Sequence, residues 1–408
     1  MLKNFIIAII GGGLAGASVA TRLAAAPFHD LQIVLIEVRT RAMQLVRDRT
    51  WCYWKTEATM NAAEHRFVEI SVCGRAMHRL KSSYPHEMFA SDVFFRSAQL
   101  ALYKAINVEQ SCGVSVESFR KCPFNIEIDT SDAVVSAAHV FDSRPVKIAP
   151  AKLPGNAFLQ HFKGWEITVT YPVFAPSTAT LIDFRVTQTA TEGVHFMYVL
   201  PTSPTQALIE DTWFTPAARM ADPDYVRPDY AAHIRAYLVA KFGCHDGYTT
   251  VTYREAAVLP MVAGLHVAHL ASNMPQVIPI GAAAGMARAS SGYAFSDKQR
   301  ATIASAETLL EQLRADPSRA FLNQPLFFEP WRAPLLDWMN CIFLTMVARY
   351  AARAPQIFES LFRNVPADRL ARFLGGVLTY VDLMYVIAAC PKWLFITSAV
   401  ANIVGKVR

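Results

Sequence analysis

Three features of this 408-residue chain predict an α/β fold with an added antiparallel sheet and a helical tail. A glycine turn, Gly11-x-Gly13-x-x-Gly16, joins an apolar stretch to a small-residue stretch near the N-terminus. A middle section alternates apolar and polar residues, and the chain beyond about residue 316 is apolar at helical spacing. Together they describe a Rossmann-type nucleotide-binding domain, an antiparallel-sheet domain and a C-terminal helical region. With 53% hydrophobic and 18% charged residues and no low-complexity tract, the chain is globular and not intrinsically disordered.

The first element follows from the run "FIIAIIGGGLAGASVATRLAAA" and the later "LQIVLIE". An apolar strand, a turn, a helix and a second strand ending at Glu37 make a dinucleotide-binding βαβ unit. Gly11 permits the sharp turn, Gly13 lets the backbone approach a pyrophosphate, and Gly16 lets helix and strand pack closely. The N–H groups of the helix start, those of Leu14 and Ala15 included, face the phosphates with the positive end of the helix dipole. Glu37 stands where a carboxylate accepts hydrogen bonds from a ribose. A cleavable signal peptide would not carry four glycines in six positions, so the expected location is the cytoplasm.

A motif at the extreme N-terminus, followed by a long middle section, selects FAD rather than NAD. Residues 134–144, "VVSAAHVFDSR", read as a strand returning to the nucleotide domain and ending in Asp142 and Arg144. The stretch beginning "QVIPIGAAAGMARASSGY" reads as a short strand and a small-residue turn before a long helix. Gly281, Gly285 and Met286 there give a second backbone approach to the cofactor. The middle segments "WEITVTYPV", "ATLIDFRV", "HFMYVLP" and "QALIEDTWF" have the period of antiparallel strands. The expected division is 1–150 and 266–315 for the nucleotide domain, 151–265 for the sheet domain and 316–408 for the helical region.

Seven scattered cysteines, none in a C-x-x-C pair, read as reduced thiols. His266 and His269 lack a nearby third ligand, so no metal site is expected. Residues 331–408 carry nine Lys or Arg against four Asp or Glu, a balance of +5 of the chain's +6. Its apolar runs, broken by Pro391 and Lys392, are shorter than the roughly 20 residues of a membrane-spanning helix. Charge on an apolar helical tail suits a membrane surface, with Trp338 or Trp393 inserted and cations toward anionic head groups. No basic run interleaved with aromatics points to nucleic acid.

Several segments, in order, resemble the lycopene cyclases, flavoproteins that close the end rings of carotenoids. They are "IIGGGLAG", "DRTWCYW", "FDSR", "YVLPTSPTQALIEDTWF", "REAAVLPM" and "GAAAGMARASSGY", spanning most of residues 5–300. "LIEDT" is similar to the family's acidic motif; Arg288 and Ala289 depart from the histidine and proline of its G-M-x-H-P-x-T-G-Y turn. The resemblance implies a redox-neutral intramolecular lyase acting on lycopene or a related acyclic carotenoid. It also implies reduced FAD, NAD(P)H as electron donor, and a location peripheral to the inner face of the cell membrane.

Cyclising a polyene requires a proton delivered to a terminal alkene and another removed after ring closure. A carboxylate in an apolar tunnel can do both, and desolvation raises its pKa toward that use. Glu210 is the first candidate and Asp211 the second, because adjacent strand residues face opposite sides and only one can enter the tunnel. The structural alternative is an ion pair with Arg254 or another base. Aromatic faces near the motifs can stabilise a carbocation; Trp51 and Tyr293 are the candidates for the substrate channel. Rival functions are an FAD-dependent monooxygenase on an apolar substrate, a cyclase for another polyene, and a carotenoid- or flavin-binding carrier.

Overall fold

The computed structural model describes residues 3–26, 31–56, 63–73, 77–144, 149–189, 191–263, 274, 276–281, 284–286, 288–292, 295–316 and 334–406. The chain begins as the sequence predicts, with β1 (Lys3–Ile10), α1 (Leu14–Ala24) and β2 (Ile33–Glu37), then a one-turn α2 (Arg41–Gln44). Next come β3 (Thr50–Trp54), β4 (His65–Cys73), β5 (Met77–Ala90) and α3 (Ser91–Lys104). The nucleotide sheet is then completed by β6 (Val108–Cys112), β7 (Val116–Lys121), β8 (Ile126–Thr130) and β9 (Val134–Asp142). The middle section supplies β10 (Phe158–Val169), β11 (Thr178–Asp183), β12 (Val194–Ser203), β13 (Gln206–Pro216) and β14 (Thr249–Met261). A one-turn α4 (Ala217–Met220) and α5 (Tyr230–Phe242) lie between the last two.

A short β15 (Val277–Pro279) returns the chain to the nucleotide sheet and leads into α6 (Phe295–Ala315). That sheet has the order β6-β2-β1-β9-β8-β7, with β15 also paired to β9. β1 pairs in parallel with β2 and β9, as βαβ crossovers require. Helices α1 and α6 cover one face, Val19 and Leu23 packing with Leu309, Leu310 and Leu313. Gln299 Nε2 donates to Ser18 Oγ at 2.6 Å and ties the two helices together.

The second sheet has eight strands in the order β14-β10-β13-β12-β11-β4-β5-β3. Strands β3 to β5 therefore come from within residues 1–150, so a division by sheet differs there from a division by residue number. Helix α5 packs on one face of this sheet, where Ile234 and Leu238 meet Ile167 and Ile209. The other face is covered by the tail: α7 (Pro334–Arg349), α8 (Ala354–Asn364), α9 (Ala367–Gly375), α10 (Tyr380–Ala389) and α11 (Lys392–Lys406). Phe362, Leu370 and Val386 pack there with Phe67 and Leu208, while Leu344 and Leu394 pack with Phe214.

Asp382 anchors this helical layer. It completes a capping box with Thr379 at the start of α10 and receives Arg369 at 3.0 Å and Arg372 at 2.5 Å. These donors hold its carboxyl well below the usual range, the Arg372 hydrogen bond being the largest cause. Among the described residues no single helix is long and apolar enough to cross a membrane; one bent pair, α9 with α10, passes that test together.

The glycine turn makes two different demands. A Cβ on Gly16 would run into the Gly11 carbonyl oxygen, whereas one on Gly13 would meet open space. Gly16→Ala is accordingly expected to cost about 1–3 kcal/mol of stability, and Gly13→Ala about 1 kcal/mol or less. Thermal unfolding followed by circular dichroism checks the difference; equal losses would contradict it.

Candidate active site

A cavity of about 370 Å³ lies between the second sheet, the tail helices and residues 288–292 and 295–298. Its walls are mostly apolar, with Phe162, Phe196, Phe214, Phe343, Phe358 and Phe395 among them. The strand alternation that builds the sheet sorts the acidic motif. Glu210 points into the cavity on the same face of β13 as Thr212 and Phe214. Asp211 lies on the opposite face.

The structure thus does not bring Asp211 to the cavity, because a one-residue step along a strand reverses the side chain. Its carboxylate, fully buried, meets His195 Nε2 at 2.6 Å and His233 Nδ1 at 2.7 Å and accepts from Trp213 Nε1 at 3.0 Å. His195 also stacks on Trp213, centroids 4.0 Å apart, and its Nδ1 faces the Thr187 carbonyl at 2.8 Å. A carbonyl only accepts, so Nδ1 donates to it. The three residues bring their ligating atoms within 4.8 Å of one another, a cluster the sequence did not reveal. Asp211 takes the structural alternative, with histidines rather than Arg254 as its bases. Arg254 lies over the Trp165 ring, 5.4 Å from its centroid.

Glu210 has a partner that sequence reasoning missed. Gly164 on β10 is in register with Glu210 on β13 and, on its other side, with Glu255 on β14. The two glutamates reach over the bare glycine and hydrogen-bond to each other. Desolvation, then the charge and hydrogen bond of Glu255, push Glu210 well above the usual carboxyl range. Burial raises Glu255 as well, opposed by hydrogen bonds with Glu210 and Thr50 and by the charge of Arg47. Thr50 Oγ1 donates to Glu255 Oε2 at 2.8 Å, and Arg47 Nη2 donates to Thr50 at 2.9 Å. An acid in the otherwise apolar run "REAAVLPM" was the available signal.

Other predicted residues fall into place around this pair. Trp51 lines the cavity and packs against Phe89, Phe94, Phe95 and Phe295. Tyr293 lies outside the described residues, as do His266 and His269. Tyr198, opposite Glu210 on β12, lines the cavity and is 2.8 Å from His86 Nε2. Burial pushes that imidazole down to about 3, so it is neutral. Across the cavity stand Arg49, Arg288 and Lys298. Burial, then the charge of Arg49, bring Lys298 down to about 8. Arg288 donates to the Phe373 carbonyl and lies 3.7 Å from Asp297, latching the end of α9 onto α6.

The nucleotide motif is built to receive an anion. Helix α1 starts at Gly13 with no side-chain cap and no acidic residue in its first turn, so its N–H groups, those of Leu14 and Ala15 near the start, face outward. Gly11 has φ +87°, and Ser143 Oγ donates to the carbonyls of Ile10 and Gly11 at 2.8 and 3.0 Å, clamping the turn. Glu37 ends β2 beneath it, receiving the Gly12 N–H and, at 2.9 Å, Arg39 Nε. Asp142 and Arg144 pair with each other at 2.8 Å beside the turn. Gly281, at φ +66°, packs against Ala15, its N–H 3.1 Å from Met286 Sδ, and Gly285 follows in the same turn.

The sequence profile of the lycopene cyclase protein family matches residues 7–400. The chain belongs to that family. It is 25% identical to the lycopene beta-cyclase of Pantoea ananas over 412 aligned positions, covering 96% of each chain. In fold this family member is similar to flavin enzymes. The flavin-dependent brominase Bmp2 superposes with a TM-score of 0.61 at 14% identity, covering 95% of this chain and 98% of that one. A variant of halogenase PltM, solved in complex with FAD, gives 0.55 at 13% identity over 96% and 85% of the two chains.

Replacing Asp211 by Asn removes the charge that the two histidines share. Breaking such a buried pair is expected to cost about 3–5 kcal/mol, read as a lower denaturation midpoint in urea. A variant of unchanged stability would show that Asp211 does not brace the sheet.

Proposed function

We propose that the protein is a lycopene beta-cyclase, converting the acyclic ends of lycopene to β-ionone rings without net oxidation. The observation that carries this is the pair Glu210 and Glu255, set side by side across Gly164 at the wall of an apolar cavity. A protonated carboxyl can give its proton to a terminal alkene; aromatic walls, with Trp51, Phe196 and Tyr198 among them, then face the resulting cation. Exclusion of water keeps that cation from being captured before the ring closes.

FAD fits the residues present. The turn Gly11–Gly13–Gly16 and the first N–H groups of α1 would hold the pyrophosphate, Glu37 the ribose, and the segments at Asp142–Arg144 and Gly281–Met286 the remaining backbone approaches. Reduced FAD, when bound, supplies an electron-rich ring able to stabilise positive charge, and NAD(P)H is the inferred electron donor. Gly13→Ala should retain the fold yet lose bound flavin absorbance; full retention would count against this assignment.

The membrane surface is the proposed source of substrate. Of the helices that wall the cavity inside, α7, α10 and α11 expose large apolar side chains outside. Tyr380 is 84% and Trp393 72% exposed, and Met384, Ile396, Val400 and Ile403 accompany them at helical spacing. These exposed side chains support a location at the inner face of the cell membrane, with the carotenoid taken up from lipid. A Met384→Glu, Trp393→Glu variant should partition onto anionic vesicles at least about tenfold more weakly, measured by flotation. Equal flotation would contradict the assignment.

The activity test is Glu210→Gln assayed with lycopene in liposomes, FAD and NADPH. The amide keeps the shape but has no acidic proton, and cyclisation should fall by about 10²–10⁴ or more while lycopene still binds. Undiminished turnover would remove Glu210 from the chemistry. Normal ligand binding by a wild-type protein that forms no product would favour a carrier.

A further inference from the structure

We propose that Glu255 is the second catalytic group of the cavity: ionised, it takes the proton leaving the newly closed ring and returns it to Glu210, Gly164 being the positioning residue that lets the two carboxyls meet. This rests on the cyclase reading and deepens it.

The first argument is geometric. Strands lie about 4.8 Å apart, so residues on β13 and β14, on either side of β10, are separated by about 10 Å of backbone. Their side chains meet only by crossing β10. A Cβ at position 164 would stand 3.0 Å from Glu210 Cγ and 3.1 Å from Glu255 Cγ, so a larger residue there pushes the pair apart. The second argument is chemical asymmetry. Glu255 accepts from Thr50 and feels the charge of Arg47, both of which favour its anion. Glu210 meets burial and a negative neighbour, which favour its acid. Environments that drive two carboxyls apart in pKa assign one as acid and the other as base.

The cycle balances. The Glu210 O–H bond breaks and a C–H bond forms at the terminal alkene, leaving a cation. A neighbouring π pair closes the carbon–carbon bond. The Glu255 carboxylate removes a proton from the carbon beside the cation, and that C–H pair becomes the ring double bond. The proton then crosses the hydrogen bond to Glu210. No electron is gained or lost, and the pair is reset for another end group.

The charged and titratable groups facing the pair are Cys52 on β3, Tyr198 on β12, Tyr253 on β14, Arg47, Asp48 and Arg49 before β3, and Arg288 and Lys298 across the cavity. Activity needs Glu210 protonated and Glu255 ionised. It is therefore lost as pH rises through the first titration and as pH falls through the second. In Glu255→Gln the low-pH loss should disappear. The high-pH loss should move to lower pH, since removing a negative neighbour lowers the pKa of Glu210. kcat should fall by about 10²–10⁴ with little change in lycopene binding. Gly164→Ala should lower kcat with both acids in place. A Glu255→Gln variant with the wild-type rate and bell-shaped profile would overturn the proposal.

Infrared spectroscopy of the protein without substrate gives an independent readout. A protonated-carboxyl stretch should be present at neutral pH, vanish in Glu210→Gln and shift in Glu255→Gln. Absence of that band, or its indifference to Glu255, would overturn the shared proton. Failure of the wild type to convert lycopene would instead overturn the cyclase reading, leaving the band to decide the pair.

Discussion

Gly164 has no side chain, and across that gap Glu210 and Glu255 touch, two strands apart in the sheet. Burying two carboxyls together in an apolar wall disfavours two adjacent anions, which would each lack solvation, and pushes Glu210 well above the usual carboxyl range. A carboxyl that keeps its proton in a dry cavity suits addition of that proton to an alkene, a poor base that water would otherwise leave untouched.

The rest of the fold serves that constraint. The sheet fixes the register that sets the acids opposite the gap. Helix α5 and the Asp211–His195–His233 brace stiffen its far face, and the tail helices close the near face with aromatic and aliphatic side chains. Arg288, at the position where the family motif carries a histidine, fastens that tail to the start of α6. Helices α7, α10 and α11 of that layer also present apolar side chains outward.

Much of this was legible in the sequence because its signals are local. The βαβ turn, the alternating middle strands and the helical tail each occupy a contiguous window, and all three formed. Strand alternation says that only one of Glu210 and Asp211 can enter a cavity, but not which one. Glu255 was not legible as a partner, because its meeting with Glu210 depends on β10 lying between β13 and β14, and a single sequence does not give strand order. The histidine partners of Asp211 were hidden for the same reason, one of them arriving on α5. Strands β3 to β5 joined the second sheet although they precede the end of the nucleotide domain, since pairing across the fold leaves no mark in local periodicity.

The central claim is that this cavity moves protons and not oxygen or hydride equivalents onto its substrate. The most direct test is the mass and absorption spectrum of the carotenoid recovered after lycopene in liposomes is incubated with the protein, FAD and NADPH without oxygen. The account predicts an unchanged mass and a spectrum shifted to shorter wavelength, as ring closure shortens the conjugated chain. Product formed only after air is admitted, and heavier by one oxygen, would contradict it.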